Sequence, residues 1–358
     1  MKCVFYFKNN YFKEKGIKTM KRIISLTTLM LLILNLSGCS KSNNENIVDK
    51  NQEVISQNNN QHYPVTITTY DYEGNEIKTT YEKAPEKVLA VYQGSIETML
   101  ALGLEDKMVA AAGLDNEVDD SMKEAFEKVE YLTEFTPSKE TVTMLQPDMI
   151  LSWGSIFAQD KLGDVNTWIE KGTNTYINTN TRFNGDRTLE NEYNDILNLG
   201  KIFNVEEKAE ALVNEMKAEI EKVEEKAKLQ DKKTSALVIE FSGDKSIINY
   251  GASSLAGDMV QSLGAKLASE DSKNLGKEDI ISLNPDVIFV VYMPYSGDDP
   301  EEVKQTNLDY ILNDSAFKNL QAVKNNRVVP IMLGDMYASG VRTKDGIVNF
   351  SKGLYPEI

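Results

Sequence analysis

"KETVTMLQPDMIL", residues 139–151, returns 138 positions later as "KEDIISLNPDVIF", residues 277–289, with six of thirteen positions identical. That separation lies far outside the periods of solenoids and propellers, about 20 to 50 residues, so it signals two similar lobes rather than a stack. The surroundings repeat as well. "KVLAVYQGSIETMLALGLEDKMVAAAG" predicts a strand at 88–92, a helix at 95–102 stopped by Gly103, and a strand at 108–112. The second copy offers the strand "ALVIEF", the helix "SSLAGDMVQSLG" and the strand after Pro285. Strand, helix and strand with short connections mean a parallel sheet covered by helices. Within the repeat, Pro147 disfavours helix at Gln146 and predicts an extended exit into "MILSW".

Around this repeat the chain divides. "VTITTYDYEGNEIKTTYE", residues 65–82, alternates β-formers about Glu73-Gly74-Asn75, a hairpin signature. Residues 190–231 contain a long run of strong helix formers, with Ala209, Leu212, Met216 and Ile220 spaced by three or four. That stripe suits one rigid strut better than a coiled coil. The expected architecture is therefore α/β, with an N-terminal lobe at 64–189, a linking helix region at 190–231 and a C-terminal lobe at 232–358.

Ahead of the lobes, "MKRIISLTTLMLLILNLSGCS" has two positive charges, an apolar run and small residues before Cys39. This predicts a secretory leader over 1–38, with Met20 as an alternative start. Leu36-Ser37-Gly38-Cys39 resembles the bacterial lipobox, which implies lipidation of Cys39 by groups such as palmitate and anchorage to the outer side of the cell membrane. Residues 39–63, rich in Asn, Gln and Ser, read as a flexible tether, with the lone histidine, His62, as a solvated residue at its end.

The formal net charge is −16, and residues 1–38 carry seven Lys or Arg against one Glu, which leaves −22 on residues 39–358. So acidic a chain is repelled by polyphosphate, which excludes nucleic acid as a partner. Cys3 and Cys39 are the only cysteines, so no disulfide can form within residues 40–358. No dinucleotide, phosphate-loop, zinc-protease or nucleophile-elbow motif is present, and usable His and Cys are lacking, so catalysis is not expected. An α/β enzyme with an interlobe active site stays as the remote alternative. No resident cofactor or protein-held metal is expected.

"APEKVLAVYQGSIETMLALG", the paired "KE…LxPD(M/V)I" segments, "LNLGKIFN" and "NNRVVPI" occur in an order that resembles the solute-binding proteins of iron-siderophore, haem and vitamin B12 ABC importers. The likeness covers nearly all of residues 64–358. It implies two Rossmann-like lobes with parallel sheets joined by a single long helix, and a ligand cleft between them. The implied partners are a permease dimer with its ATPase and a ferric siderophore, with haem or cobalamin as alternatives. In that family each lobe presents a surface carboxylate to the permease, and the matching positions are Glu140 and Glu278. Helix-dipole stabilisation of a first-turn carboxylate explains an acidic residue at each place, but not the shared "KE".

Ligands of open α/β sheets sit beyond the carboxyl ends of the strands. The loops expected there carry Tyr92, Trp153, Arg182, Tyr250, Tyr292, Tyr295, Tyr337 and Arg342, which form the candidate ligand set. Arg supplies a planar fork for anionic oxygens and the rings supply flat walls, a pairing that suits an anionic ferric chelate. Arg187 falls beside the same loops. Arg342 is expected to open a helix facing the cleft, where it meets ligand or braces Asp335 or Glu240.

Overall fold

The computed structural model describes residues 62–242 and 246–357; the leader, Cys39 and the tether to residue 61 lie outside the described residues. The N-terminal lobe runs β1 (Val65–Tyr70), β2 (Glu76–Tyr81), β3 (Val88–Val91), α1 (Gln93–Ala101), β4 (Met108–Ala112), α2 (Lys123–Phe126), α3 (Lys139–Leu145), β5 (Met149–Ser152), α4 (Val165–Ile169) and β6 (Asn174–Ile177). Then come α5 (Leu189–Phe203) and α6 (Glu206–Ala227). The C-terminal lobe continues with β7 (Ser235–Phe241), β8 (Ile247–Asn249), α7 (Leu255–Ser262), β9 (Lys266–Leu267), β10 (Asn274–Leu275), α8 (Lys277–Leu283), β11 (Val287–Tyr292), α9 (Pro300–Leu312), α10 (Gln321–Lys324), β12 (Val328–Met332) and α11 (Thr343–Leu354).

The first sheet has the order β4-β3-β5-β6 and is parallel throughout. The second has the order β10-β8-β7-β11-β12. Its long members β7, β11 and β12 are parallel, β8 runs antiparallel to β7, and β10 is antiparallel to β8, so this sheet is mixed. The predicted hairpin is β1-β2, in register Val65 with Tyr81. Alternate residues of the central strands serve different cores: Leu89 and Val91 pack with Ile150, Phe157 and Trp168, whereas Val88 and Ala90 face the helices. Both sheet faces are covered, as an apolar run without polar alternation requires.

The linking region holds two helices, α5 and the long strut α6. Asn204 takes a left-handed conformation (φ 54) and ends α5, and the chain turns back at once into α6. Gly200 lets the two approach, since a Cβ there would sit 2.5 Å from Ala209 Cβ. The strut is α6 alone, whose 22 residues span about 33 Å at the helical rise. Lys208 Nζ donates to Leu102 O at the end of α1 (3.0 Å), and the other end of α6 meets Gly264 beside α7. One apolar cluster joins Ile96, Met99, Ile196, Val213, Met216, Met259, Phe289 and Phe350, so the lobes share a core through their helices.

Two smaller expectations also change. The end of the expected tether is seated: Tyr63 OH donates to Ile202 O (2.8 Å), and the His62 ring contacts Lys201 O (2.6 Å) and Glu206 (3.3 Å). The last carbonyls of α5 lack intrahelical donors, and these two side chains cover them. Gln146 is left-handed (φ 49) rather than extended, as is Asn284 (φ 41) in the second copy. The residue before Pro leaves the α region, and a left-handed cap reverses the chain at once.

Most of the repeated sequence is now explained by folding. Asp148 accepts from Glu86 N (2.8 Å) and Lys87 N (2.9 Å), which ties the start of β5 to the start of β3. In the second lobe, Asp286 accepts from Ser235 N (2.9 Å) at the start of β7. Ile150 and Ile288 are fully buried on the outer faces. Replacing Asp148 or Asp286 by Ala is expected to cost about 1 to 3 kcal/mol each, the penalty for orphaning backbone donors, and urea unfolding of the two variants checks it.

Candidate functional site

Loops after β3, β5 and β6 of the first sheet meet loops after β8 and β12 of the second: Tyr92 packs on Trp153, Trp153 reaches toward Tyr337, and Arg187 N donates to Ser253 O. Tyr92 precedes α1 with φ 71, and its ring lies 5.2 Å from Trp153 and 5.9 Å from Phe135. Trp153, at the end of β5, reaches across to Tyr337 of the other lobe, with ring centroids 6.0 Å apart. The Arg187 guanidinium lies over the Tyr337 ring at 4.6 Å, and Arg187 N donates to Ser253 O across the lobes (3.1 Å). Tyr250 OH donates to Glu240 (2.5 Å); burial, then the Glu240 charge, holds this phenol well above its ordinary pKa. Trp153 Nε1 is buried and has no hydrogen-bond partner among the described residues.

A second part of the cleft is a cavity of about 630 Å3, lined by Tyr292, Tyr295, Glu117, Asp119, Asp335, Arg342 and Asp345, among others. Ser296 N donates to Asp115 O across it (2.9 Å). Thus Trp153 meets both Tyr92 and Tyr337, and Tyr292, Tyr295 and Arg342 share the cavity. Arg182 departs from the expectation. Its guanidinium stacks 4.8 Å over Tyr70 of β1, at the hairpin edge of the first sheet. The cation packed on the interlobe rings is Arg187, which the same loop-placement argument reached but could not rank.

Arg342 is also engaged differently from either expected bracing partner. It donates from Nε and Nη2 to the Glu97 carboxylate (2.6 and 2.7 Å) and from Nη2 to Glu117 O (2.9 Å). Glu97, on α1 of the other lobe, is fully buried. Gln93 extends the network by donating to Glu97 (2.7 Å) and accepting from Asp115 N (3.1 Å). Close backbone packing makes the pair reachable: a Cβ on Gly94 would lie 2.9 Å from Ala338 O, and one on Gly340, at φ 57, 2.5 Å from Thr98 Oγ1. Beside it, buried Glu192 accepts from Gly340 N (2.7 Å) and Asn180 Nδ2 (2.6 Å). Burial, then the neighbouring Asp195 charge, raises the Glu192 pKa. Burial, reinforced by Asp345 and opposed by Arg342, raises that of Asp335 to about 7.

Glu140 and Glu278 sit in the first turns of α3 and α8, and both are exposed. Each of these helices leads into a parallel strand and runs against it, so its N-terminus stands at the cleft edge of its sheet. Ser138 accepts from Thr141 N to cap α3 (3.1 Å), and Asp279 accepts from Gly276 N to cap α8 (2.8 Å). Capping is therefore done by other residues. Neither Glu140 nor Glu278 has a hydrogen-bond or ion-pair partner among the described residues, whereas Lys277 pairs with Asp314.

Two outcomes check this network. Arg342→Ala is expected to lose about 3 to 5 kcal/mol of stability, because it strands a buried carboxylate, and the Glu97→Ala/Arg342→Ala double variant is expected to lose less than the two single losses combined. Denaturant unfolding gives both. For pH, carboxyls with raised folded pKa values keep protons that the unfolded chain releases above about pH 4. Stability is therefore expected to fall as pH rises through the window up to the Asp335 and Glu192 values of about 7 and about 8. Glu192→Gln should flatten the pH 5 to pH 8 difference.

Comparison with known proteins agrees with this geometry. Residues 88–331 match the periplasmic binding protein family model. The chain is 26% identical over 341 residues to the ABC transporter substrate-binding lipoprotein YvrC of Bacillus subtilis, covering 94% of this chain and 98% of YvrC. It is also 26% identical over 274 residues to the petrobactin-binding protein YclQ of the same organism, covering 73% of this chain and 79% of YclQ. A periplasmic binding protein from Veillonella parvula superposes with a TM-score of 0.75 at 32% identity, over 82% of this chain and 92% of that one. The two α/β lobes, the helix that joins them and the match over most of the chain place this protein in the periplasmic binding protein family.

Proposed function

We propose that this chain is the extracytoplasmic solute-binding component of an ABC importer, which captures a ferric siderophore and presents it to a permease dimer with its ATPase. It acts by binding and not by catalysis. The observation that carries the reading is the matched pair Glu140 and Glu278: exposed, unpartnered carboxylates at the cleft edge of both lobes. A two-lobed protein docking on a two-fold permease meets the same contact twice, and charge complementarity supplies register and encounter rate. The leader and Cys39 supply the anchor on the outer membrane face, as the lipoprotein relative YvrC supports. The petrobactin-binding relative YclQ supports the ligand class.

In the cleft, Tyr92, Trp153 and Tyr337 offer ring walls and Arg187 a cation, while Tyr250, Tyr292 and Tyr295 offer phenol groups. In this reading the metal arrives already chelated by the siderophore. Arg342 contributes by holding the lobes together beneath the ligand, not by meeting it as a free charge.

Titration with ferric hydroxamates, ferric catecholates, haem and cobalamin, followed by tryptophan fluorescence, tests the ligand. Quenching by a ferric chelate is expected, and a response only to haem or cobalamin overturns the siderophore assignment. Glu140→Arg combined with Glu278→Arg is expected to abolish uptake in cells while ligand affinity stays within about threefold, because the reversed charges face the permease. Each single change should be intermediate, and normal uptake by the double variant removes the docking role.

A further inference from the structure

Among the residues lining the interlobe cavity, Arg342 is the one positive group, set against the carboxylates of Glu117, Asp119, Asp335 and Asp345. Its charge is already matched by the buried Glu97, which it grips with two hydrogen bonds. Lysines nearby are also committed. Lys123 bridges Glu117 and Asp120 (2.9 Å each), Lys344 binds Glu215 (2.6 Å), and Lys304 pairs with Glu301. With Glu117 paired to Lys123 and Asp335 partly protonated near neutrality, Asp119 and Asp345 keep a net negative potential in the cavity, which low-dielectric walls focus and the acidic chain around it reinforces. Its walls include the phenol rings of Tyr292 and Tyr295, a surface suited to the face of an organic cation.

We infer that this cavity selects ferric chelates bearing a cationic or uncharged arm, such as a hydroxamate chain ending in a protonated amine, and rejects chelates whose periphery is anionic. The arm enters between Tyr292 and Tyr295 toward Asp119 and Asp345, while the chelated iron lies on the Trp153 and Tyr337 side. This rests on the proposed function, and it reverses the anionic-ligand expectation drawn from the loop arginines. That expectation counted Arg342 as available, and Glu97, 245 positions away in sequence, makes it unavailable.

The test uses three ferric complexes of one linear trihydroxamate: with a free terminal amine, with that amine N-acetylated, and with it N-succinylated. They carry one positive charge, none, and one negative charge on the same iron centre. Equilibrium titration of the purified protein at low salt is expected to rank them in that order, with about tenfold between the amine and succinyl forms. Asp345→Asn with Asp119→Asn, both exposed positions, should narrow that ratio to about threefold or less. Equal or tighter binding of the succinylated form overturns the charge selection, as does tight binding of a ferric tricatecholate with no response to any hydroxamate. In both cases the siderophore reading survives. Absence of binding by every ferric chelate overturns both.

Discussion

The buried ion pair between Glu97 of α1 and Arg342 before α11 is the constraint on which the cleft depends. Taking both charges out of water costs several kcal/mol per ion, so the pair persists only with excellent geometry and further hydrogen bonds. Here the carboxylate takes two guanidinium donors and the Gln93 amide, and Arg342 also reaches the Glu117 carbonyl. Gln93 in turn holds the 115–116 backbone that faces Tyr295 and Ser296. The pair thus sets the seat of one lobe on the other and the position of the cavity wall. It also removes the cavity's cation from play.

Lobe movement is restrained by the same region. The glycines at 94 and 340 bring two backbones into contact, Glu192 holds the Gly340 amide from α5, and Asp258 of α7 accepts from Leu189 N (2.7 Å). Apolar contact runs on below through α6 into both sheets. Opening the cleft would expose these buried polar groups together with shared core, which favours a largely preformed site over a wide hinge.

The duplicated segment separates folding from function residue by residue. Asp148 and Asp286 pin strand starts, the residues before Pro147 and Pro285 turn the chain, and Ile150 and Ile288 fill the outer cores. A duplicated α/β unit needs these twice. Glu140 and Glu278 have no such duty, since Ser138 and Asp279 do the capping. Folding therefore leaves their recurrence unaccounted for, which is why the proposed function assigns them to permease docking.

Local chemistry was enough for the α/β class, the hairpin, the two-lobed repeat and the amphipathic strut, because each is written in short-range periodicity, turn residues or a duplicated phrase. The strut run from Val205 was legible as helix formers, and Asn204 ends α5 just before it with a left-handed conformation. The seating of His62 and Tyr63 was invisible because the carbonyls they cover lie 139 positions away. Loop arginines could be placed near the cleft but not ranked: Arg182 went to Tyr70, Arg187 to Tyr337 and Arg342 to Glu97. A side chain's partner across a lobe interface depends on how two sheets pack, which no local pattern encodes. Sequence alone determined which groups stand at the strand ends; only the tertiary structure decided which charges remain free there, because neutralisation at close range is a matter of three-dimensional distance.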